Sequence, residues 1–333
     1  MHFSLRKVIF ASSMSQLLAL AASTMHSPHL PHGYSDRVRH NLRSFHQNLD
    51  AGNFSAIGSL IAADYYWNYE GNIILTREGG QMALESFVTS TLNGMHARDI
   101  YNIVDGDRGA VLFRISGQQS GPFVGLPLQQ NGRFSVMSAE AFTFNKGAEA
   151  REVVTITPLG IMQDQMRGVL EPPRFTNDTL QEAKTKDAEY LRLIKRNLAS
   201  IHLDANKGNL NAIANLAIES TEVDENGSIS HGKDAFVKLV TAHNAGNGSF
   251  PGKLFHDFDV LVDGTFGAIN YVWQAPQEKK YLEVEVDDEN LVRMRGMLFF
   301  EFNNVGLVTK ATGVYDERVV NTTLTGTGAY LYP

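Results

Sequence analysis

The chain of 333 residues contains no cysteine. That single absence removes disulfides, thiolate nucleophiles, cysteine-held zinc and iron–sulfur ligation together. It leaves the compartment open, because a chain able to build a large core can be secreted without bridges. Excess positive charge is missing as well. Lys and Arg number 29 against 36 Asp and Glu, for a formal charge of −7. With no basic stripe interleaved with aromatics, nothing is offered to a phosphate backbone, and nucleic acid is excluded as a partner. Beyond the first residues no run approaches the roughly 18 uninterrupted apolar residues of a membrane span, so no membrane partner is expected after processing.

What is present begins with a leader. "MHFSLRK" gives a short positive start, "VIFASSMSQLLALAAS" an apolar stretch, and Ala19, Ala21 and Ser23 the small residues of a cleavage site. Residues 1–23 therefore read as a signal peptide and the protein as secreted. Five Asn-x-Ser/Thr triplets, at Asn53, Asn177, Asn226, Asn247 and Asn321, are the corresponding glycosylation candidates. Residues 24–35 are rich in Pro, Gly and Ser and read as a disordered linker. His26, His29 and His32 stand three apart in it; a bland linker explains them as well as a metal-binding tail does, and no metal site is expected.

The chain then says one thing twice. "NLRSFHQNLDAGNFSAIGSL" (41–60) and "NLASIHLDANKGNLNAIANL" (197–216) agree at nine of twenty positions without a gap, at a constant offset of 156. Farther along the offset is 158. Asp99 matches Asp257, Asp105 matches Asp263, Gly109 matches Gly267, and "FTFNKG" answers "FEFNNVG". This is a fold-sized duplication, much longer than the repeat of a solenoid.

Within each copy the apolar period starts at 3.6 and changes to two. Leu42, Phe45, His46 and Leu49 form one helical stripe, as do Leu191, Ile194, Leu198 and Ile201 with His202 beside them. Gly52 stands where a helix stop requires positive φ. A second short helix is expected over about 53–63 and a third in "REGGQMALESFVTSTL". "GAVLFRIS", "FSVMSAEAFTF" and "REVVTITP" read as strands. Helices first and strands afterwards predict an α+β fold. The expected architecture is two tandem cone-shaped domains, each with N-terminal helices packed on a strongly curved antiparallel sheet. Residues 36–170 form the first domain, 171–186 a proline-containing linker and 187–333 the second.

One stretch is more particular. Gly121, Phe123, Gly125 and Pro127 form a G-x-F-x-G-x-P segment; Phe142 and Phe144 end a strand, Gly147 lies in the turn, and "PLGIMQDQM" closes the copy. This resembles the SnoaL-like polyketide cyclase family, within the nuclear-transport-factor-2-like fold. The second copy resembles it through the repeat and "FEFNNVGLVTKATGVYDE", but has "APQEKKYLEVEV" where the lip would be. The resemblance implies a pocket for a small apolar or polyketide-like ligand and acid/base chemistry of the cyclase or isomerase type with no cofactor. It implies an acid on the last strand with a histidine nearby. It also implies pairing through the sheet face, which a tandem could reproduce as an intramolecular pseudo-dimer.

Carried over residue by residue, the expected acid falls at Thr157 in the first copy. Allowing a one-residue shift at the glycine turn, Thr157 aligns with Asp316. Asp316 is therefore the expected acid/base, with His202 assisting; a carboxylate facing water or capping a turn is the competing reading. His46 and His202 occupy matched places and suit a structural role as readily as a chemical one. Glu140 interrupts an apolar strand and is a second candidate acid. Tyr65, Trp67, Phe123 and Trp273 are the expected pocket aromatics, although core packing explains aromatics equally well. Asp99, Asp105, Asp257 and Asp263 read as turn residues. The rival function is a secreted ligand-binding or structural protein that keeps the fold and has lost the chemistry.

Overall fold

The computed structural model describes residues 30–318 apart from 70, 124, 174–178, 243–249, 251, 279, 281–284 and 286–290. The leader, His26, His29 and three of the five sequons (Asn177, Asn247 and Asn321) lie outside the described residues. By contacts the chain divides at Tyr34, and the described residues from Ser35 onward form one compact unit.

The first copy runs α1 (Tyr34–Asp50), α2 (Phe54–Leu60), β1 (Ile61–Tyr69), β2 (Asn72–Leu75), α3 (Arg77–Ser86), a π turn over Phe87–Thr91, β3 (Leu92–Asp105), β4 (Arg108–Gln119), β5 (Arg133–Phe144), β6 (Ala150–Ile156) and α4 (Leu159–Met166). The second repeats it as α5 (Ala188–Asn206), α6 (Leu210–Ala214), β7 (Ala217–Glu225), β8 (Ser228–His231), α7 (Lys233–Val240), β9 (Leu254–Asp263), β10 (Phe266–Pro276), β11 (Leu291–Phe302) and β12 (Val308–Tyr315). Gly52 and Gly208 close the first helix of each copy with φ of 67° and 71°, as the repeated motif predicts. The glutamine-rich end "LGIMQDQM" is a helix, α4, with Leu159, Met162 and Met166 buried.

Each copy has one six-stranded open sheet, in the orders β2-β1-β6-β5-β4-β3 and β8-β7-β12-β11-β10-β9. The sheets are antiparallel except for one parallel pair in each, β1 with β6 and β7 with β12. That corrects the all-antiparallel expectation: the first strand of each copy is joined to the last by the whole length of the copy, so no hairpin dictates their direction. Bulges at Asp99/Tyr101 in β3 and opposite Asn270/Tyr271 in β10 bend the long strands.

β5 shows why the central strands are apolar almost throughout. Its residues from Arg133 to Phe144 alternate between two faces, and ten of the twelve are buried because both faces are covered. One looks into the helices of its own copy. The other meets the second sheet, where Ile103, Ala110, Ala139, Ala141 and Ile156 pack with their counterparts Leu261, Ala268, Met297, Phe299 and Val314. Tyr101 adds an edge-to-face contact with Phe266 at 5.0 Å and a stacked one with Phe299 at 6.3 Å. The interior of the second copy is a separate cluster around Leu198, Phe236, Trp273 and Phe300.

Polar contacts between the copies come in reciprocal sets. Arg39 Nη1 lies 2.7 Å from Asp263 Oδ2, which also accepts from the Val104 N–H at 3.1 Å. Lys195 Nζ lies 2.9 Å from Asp105 Oδ2, which accepts from the Val262 N–H at 3.2 Å. Residue for residue these are the same contacts, each running from one copy to the other. Asp105 and Asp263, expected to be turn residues, are therefore bridges between the copies.

The ladders also settle how the last strands correspond. Ala139 pairs with Ile156, and its counterpart Met297 pairs with Val314, so the offset on the last strand is 158. Thr157 therefore corresponds to Tyr315 and Pro158 to Asp316. No residue is inserted in the turn: the register shift between Glu301 and Phe302 has its match between Thr143 and Phe144, and Gly306, with φ of 80°, stands where the first copy has Ala148, with φ of 66°. The alignment of Thr157 with Asp316 does not hold.

Candidate functional site

The first helix of each copy lays its histidine over the sheet, and β3 or β9 supplies a carboxylate to it. His46 Nδ1 meets Asp99 Oδ1 at 2.5 Å; His202 Nδ1 donates to Asp257 Oδ1. The recurrence of Asp99 and Asp257 at one offset was the signal for this pairing. It was hidden because both precede a V-D-G turn.

The second ring nitrogen separates the copies. His202 Nε2 donates to the Val240 carbonyl at 3.1 Å, and the ring stacks on Phe255 at 4.5 Å and tilts against Tyr271. Both nitrogens are satisfied by groups that hold α5 to β9 and α7. His46 Nε2 instead lies 3.3 Å from Glu140 Oε2. The imidazole thus sits between two carboxylates in the core, with 2% of His46 and 5% of Glu140 exposed. Burial by itself lowers the pKa of His46, but the charge and hydrogen bond of Asp99, joined by Glu140, outweigh it and raise it to about 10. At neutral pH the ring is an imidazolium that donates to Asp99 and faces Glu140 as an ion pair.

Glu140 is held from its other side. Thr155 Oγ1 donates to Glu140 Oε1 at 2.8 Å and accepts from the Trp67 indole N–H at 2.8 Å. Glu140 Oε2 takes no well-formed hydrogen bond, its contact with His46 being an ion pair of poor angle. The Tyr65 phenol is buried in the same place. Burial, and then the charge of Glu140, push its pKa well above the ordinary value, so it keeps its proton. Trp67, Tyr69, Phe87 and Phe123 continue outward as a chain of rings at 5.6–5.7 Å spacing.

The G-x-F-x-G-x-P segment ends that chain. Gln119 is buried and ties the loop from within: its Nε2 donates to the Gly121 carbonyl at 2.9 Å and the Pro127 carbonyl at 3.1 Å, and its Oε1 accepts from the Gln129 N–H. A Cβ on Gly121 would stand 2.4 Å from the Ser90 carbonyl oxygen, and Gly125 has φ of 77°. The glycines are there so that the loop can press Phe123 against Phe87.

Five of the expected site residues, His46, Glu140, Tyr65, Trp67 and Phe123, are therefore gathered in the first copy. The second copy does not repeat the set. Where Glu140, Thr155, Trp67 and Tyr65 stand in the first copy, the ladders place Leu298, Gly313, Val223 and Thr221 in the second. Asp316 and His202, expected to work together, have separate partners. Asp316 is on the phase of β12 shared with Val314, the phase that meets the other sheet. Its Oδ1 accepts from the Gly160 N–H at 3.3 Å and the Arg318 N–H at 3.2 Å, and Arg318 lies 3.3 Å from its Oδ2. It caps α4 of the first copy and does not face the interior of its own. Burial pushes the Asp316 carboxyl up, opposed by the Arg318 charge and these N–H donors. Trp273 is buried in the second copy beside Phe250, with ring centroids 6.0 Å apart.

Among the described residues no cluster of three or more acidic or histidine side chains is arranged to hold a metal, and no helix is long and apolar enough to cross a membrane. Of the two described sequons, Asn53 is exposed and caps α2 by accepting from the Ala56 N–H. Asn226 is committed inward: its Nδ2 donates to the Tyr315 carbonyl at 3.1 Å and its Oδ1 accepts from the Tyr315 N–H at 3.3 Å.

No family model matches the sequence, and no curated protein matches it. Among solved structures the chain is similar to a protein assigned as a SnoaL-like polyketide cyclase from Jannaschia sp. CCS1, at 16% identity and a TM-score of 0.36, over 44% of this chain and 100% of that one. It is similar to TsrD from Streptomyces laurentii, at 19% identity and a TM-score of 0.36, over 40% of this chain and 97% of that one. It is also similar to a protein of ketosteroid isomerase-like fold from Catenulispora acidiphila DSM 44928, solved with trimethylamine, at 16% identity and a TM-score of 0.33, over 38% of this chain and 92% of that one. Each similarity spans about the length of one copy, and the first of these proteins is assigned to the family that the lip and F-x-F segments resemble.

Proposed function

We propose that the first copy is a small-molecule site working by cofactor-independent acid/base chemistry on an apolar, carbonyl-bearing ligand of polyketide-like type. The observation that supports this most is the buried Asp99–His46–Glu140 set. Two carboxylates and one imidazolium are an expensive group to place in a core, and a leucine at the position of Glu140 is tolerated in the other copy. In this reading Glu140 takes a proton from the carbon next to the ligand carbonyl, through the oxygen that lacks a good hydrogen bond. The His46 imidazolium, oriented by Asp99, steadies that carboxylate and can return a proton. The Tyr65 phenol donates to the enolate oxygen as charge develops there. Trp67 and Phe123 are apolar walls.

The second copy carries the other reading, a fold kept without this chemistry, because Leu298 and Gly313 replace the acid and its hydrogen-bond donor. We further propose that the copies stand to one another as the two subunits of a dimer. The reciprocal Arg39–Asp263 and Lys195–Asp105 contacts support this. Secretion is part of the same proposal, on the leader and the exposed sequon at Asn53.

The test is ligand identification by mass spectrometry on native protein, with Glu140→Gln and Leu298→Met compared. Loss of proton exchange at the ligand carbon in Glu140→Gln alone, with ligand still bound, is the expected result. Unchanged exchange in that variant would overturn the assignment.

A further inference from the structure

A second feature lies in the other copy and owes nothing to the Glu140 site. The Trp273 indole is fully buried, and its Nε1–H has no acceptor. Its counterpart in the first copy is Ile115, so the repeat does not demand an indole there. Trp67, the other tryptophan, has its N–H satisfied by Thr155. A buried N–H left unpaired carries its full desolvation penalty, which is a reason to ask what accepts from it.

Lys253 lies over the same ring, Nζ 5.3 Å from its centroid. It is half-buried and forms neither a hydrogen bond nor an ion pair among the described residues, unlike the paired lysines Lys195, Lys233 and Lys310. Burial pushes its pKa down, against the opposing charge of Glu317. A desolvated amine without a carboxylate partner is the usual setting of a nucleophilic lysine, since more of it is present as the free base. Phe250 completes an apolar wall beside Trp273.

We propose that Lys253 captures a carbonyl compound, an apolar aldehyde or ketone, as an imine at the face of Trp273. The nitrogen lone pair forms the C–N bond while the carbonyl π electrons move to oxygen, which takes up a proton and gives a carbinolamine. The hydroxyl then leaves with a proton as water, the remaining nitrogen proton is lost or retained, and the C=N bond closes. No oxidant or cofactor enters. The carbonyl oxygen, and then the carbinolamine hydroxyl, is the acceptor that the Trp273 N–H lacks. A carboxylate ligand suits the place less well, because Glu225 and Glu317 already act on Tyr315 nearby.

The experiment is reductive trapping. Native protein is treated with limiting benzaldehyde and cyanoborohydride at pH 7, and modified lysines are ranked by peptide mass spectrometry. Lys253 is expected to be labelled at least tenfold faster than exposed Lys146 and Lys207. Trp273→Phe, which keeps a ring and removes the donor, is expected to slow Lys253 severalfold while leaving the others unchanged. Lys253→Arg should abolish the fast phase. Labelling of Lys253 at the rate of Lys207 would overturn the proposal, and so would a Trp273→Phe protein with an unchanged Lys253 rate. Because the readout involves no residue of the first copy, failure here leaves the Glu140 proposal standing, and the reverse also holds.

Discussion

Arg39 and Asp263 are 224 residues apart in sequence and 2.7 Å apart in space, and Lys195 repeats the contact with Asp105 in the opposite direction. Each aspartate also accepts a backbone N–H from the other copy. Removing one leaves a cation and an amide without their acceptor in a half-buried place. Asp263→Ala is expected to cost about 1–3 kcal/mol, and Asp105→Ala a similar amount. Urea unfolding of the wild type should show one transition for residues 35–333. Two resolved transitions would mean that the packed sheets do not couple the copies.

His46 makes stability depend on pH in the alkaline direction. Its folded pKa, about 10, is above the unfolded value near 6.5. The stabilisation is therefore fully present below about pH 6.5 and is lost as pH rises toward 10. Unfolding free energies between pH 7 and 10 should fall by an amount on the order of a few kcal/mol, and His46→Gln should flatten the slope. An imidazole proton resonance that titrates near pH 6.5 would contradict the paired arrangement.

Leu298→Glu places an acid where the second copy lacks one. The neighbours that serve Glu140 are absent there, since Gly313 and Val223 stand for Thr155 and Trp67. The variant should lose about 3–5 kcal/mol as an unpaired buried charge, a loss measured by denaturant midpoint.

Gly109 and Gly267 occupy matched positions under the first helix of each copy. A Cβ on Gly109 would lie 2.9 Å from Leu42 Cδ1, and one on Gly267 2.5 Å from Leu198 Cδ1. Alanine at either place should cost about 1–3 kcal/mol by pushing the helix off the sheet, with Gly267→Ala the worse, and thermal unfolding would rank them.

Glycopeptide analysis after expression in a secretory host should find Asn53 occupied and Asn226 empty. The Asn226 amide is paired in both directions with the Tyr315 backbone, and an added sugar would have to break that pairing.

Much of this was readable from the residues. The repeat, the helix-then-strand order and the glycine stops follow from local chemistry: helical and strand periods differ, and positive φ selects glycine. The inner stripe placed His46 and His202 correctly because helix phase is rigid. What could not be read is long-range. Glu140 could be read as a carboxylate interrupting an apolar strand, but its partners His46, Thr155 and Tyr65 stand on other elements. Asp316 failed as a partner for His202 because the glycine of the turn stands one place later in the second copy with no residue inserted, and an alignment shifted by one residue moves every position to the other face of its strand. Asp99 and Asp105 each precede a turn, and their shared local context concealed opposite jobs, one inside a copy and one between copies.

Joining the copies in one chain has an effect that no contact displays. In an assembly of identical subunits, a substitution enters every subunit at once, and a costly buried charge must be carried as many times as there are chains. Here the cost at Glu140 is met once, while the matching place holds a leucine that only has to pack. The two sites are free to acquire unrelated chemistries while sharing the packed sheets that hold both in shape.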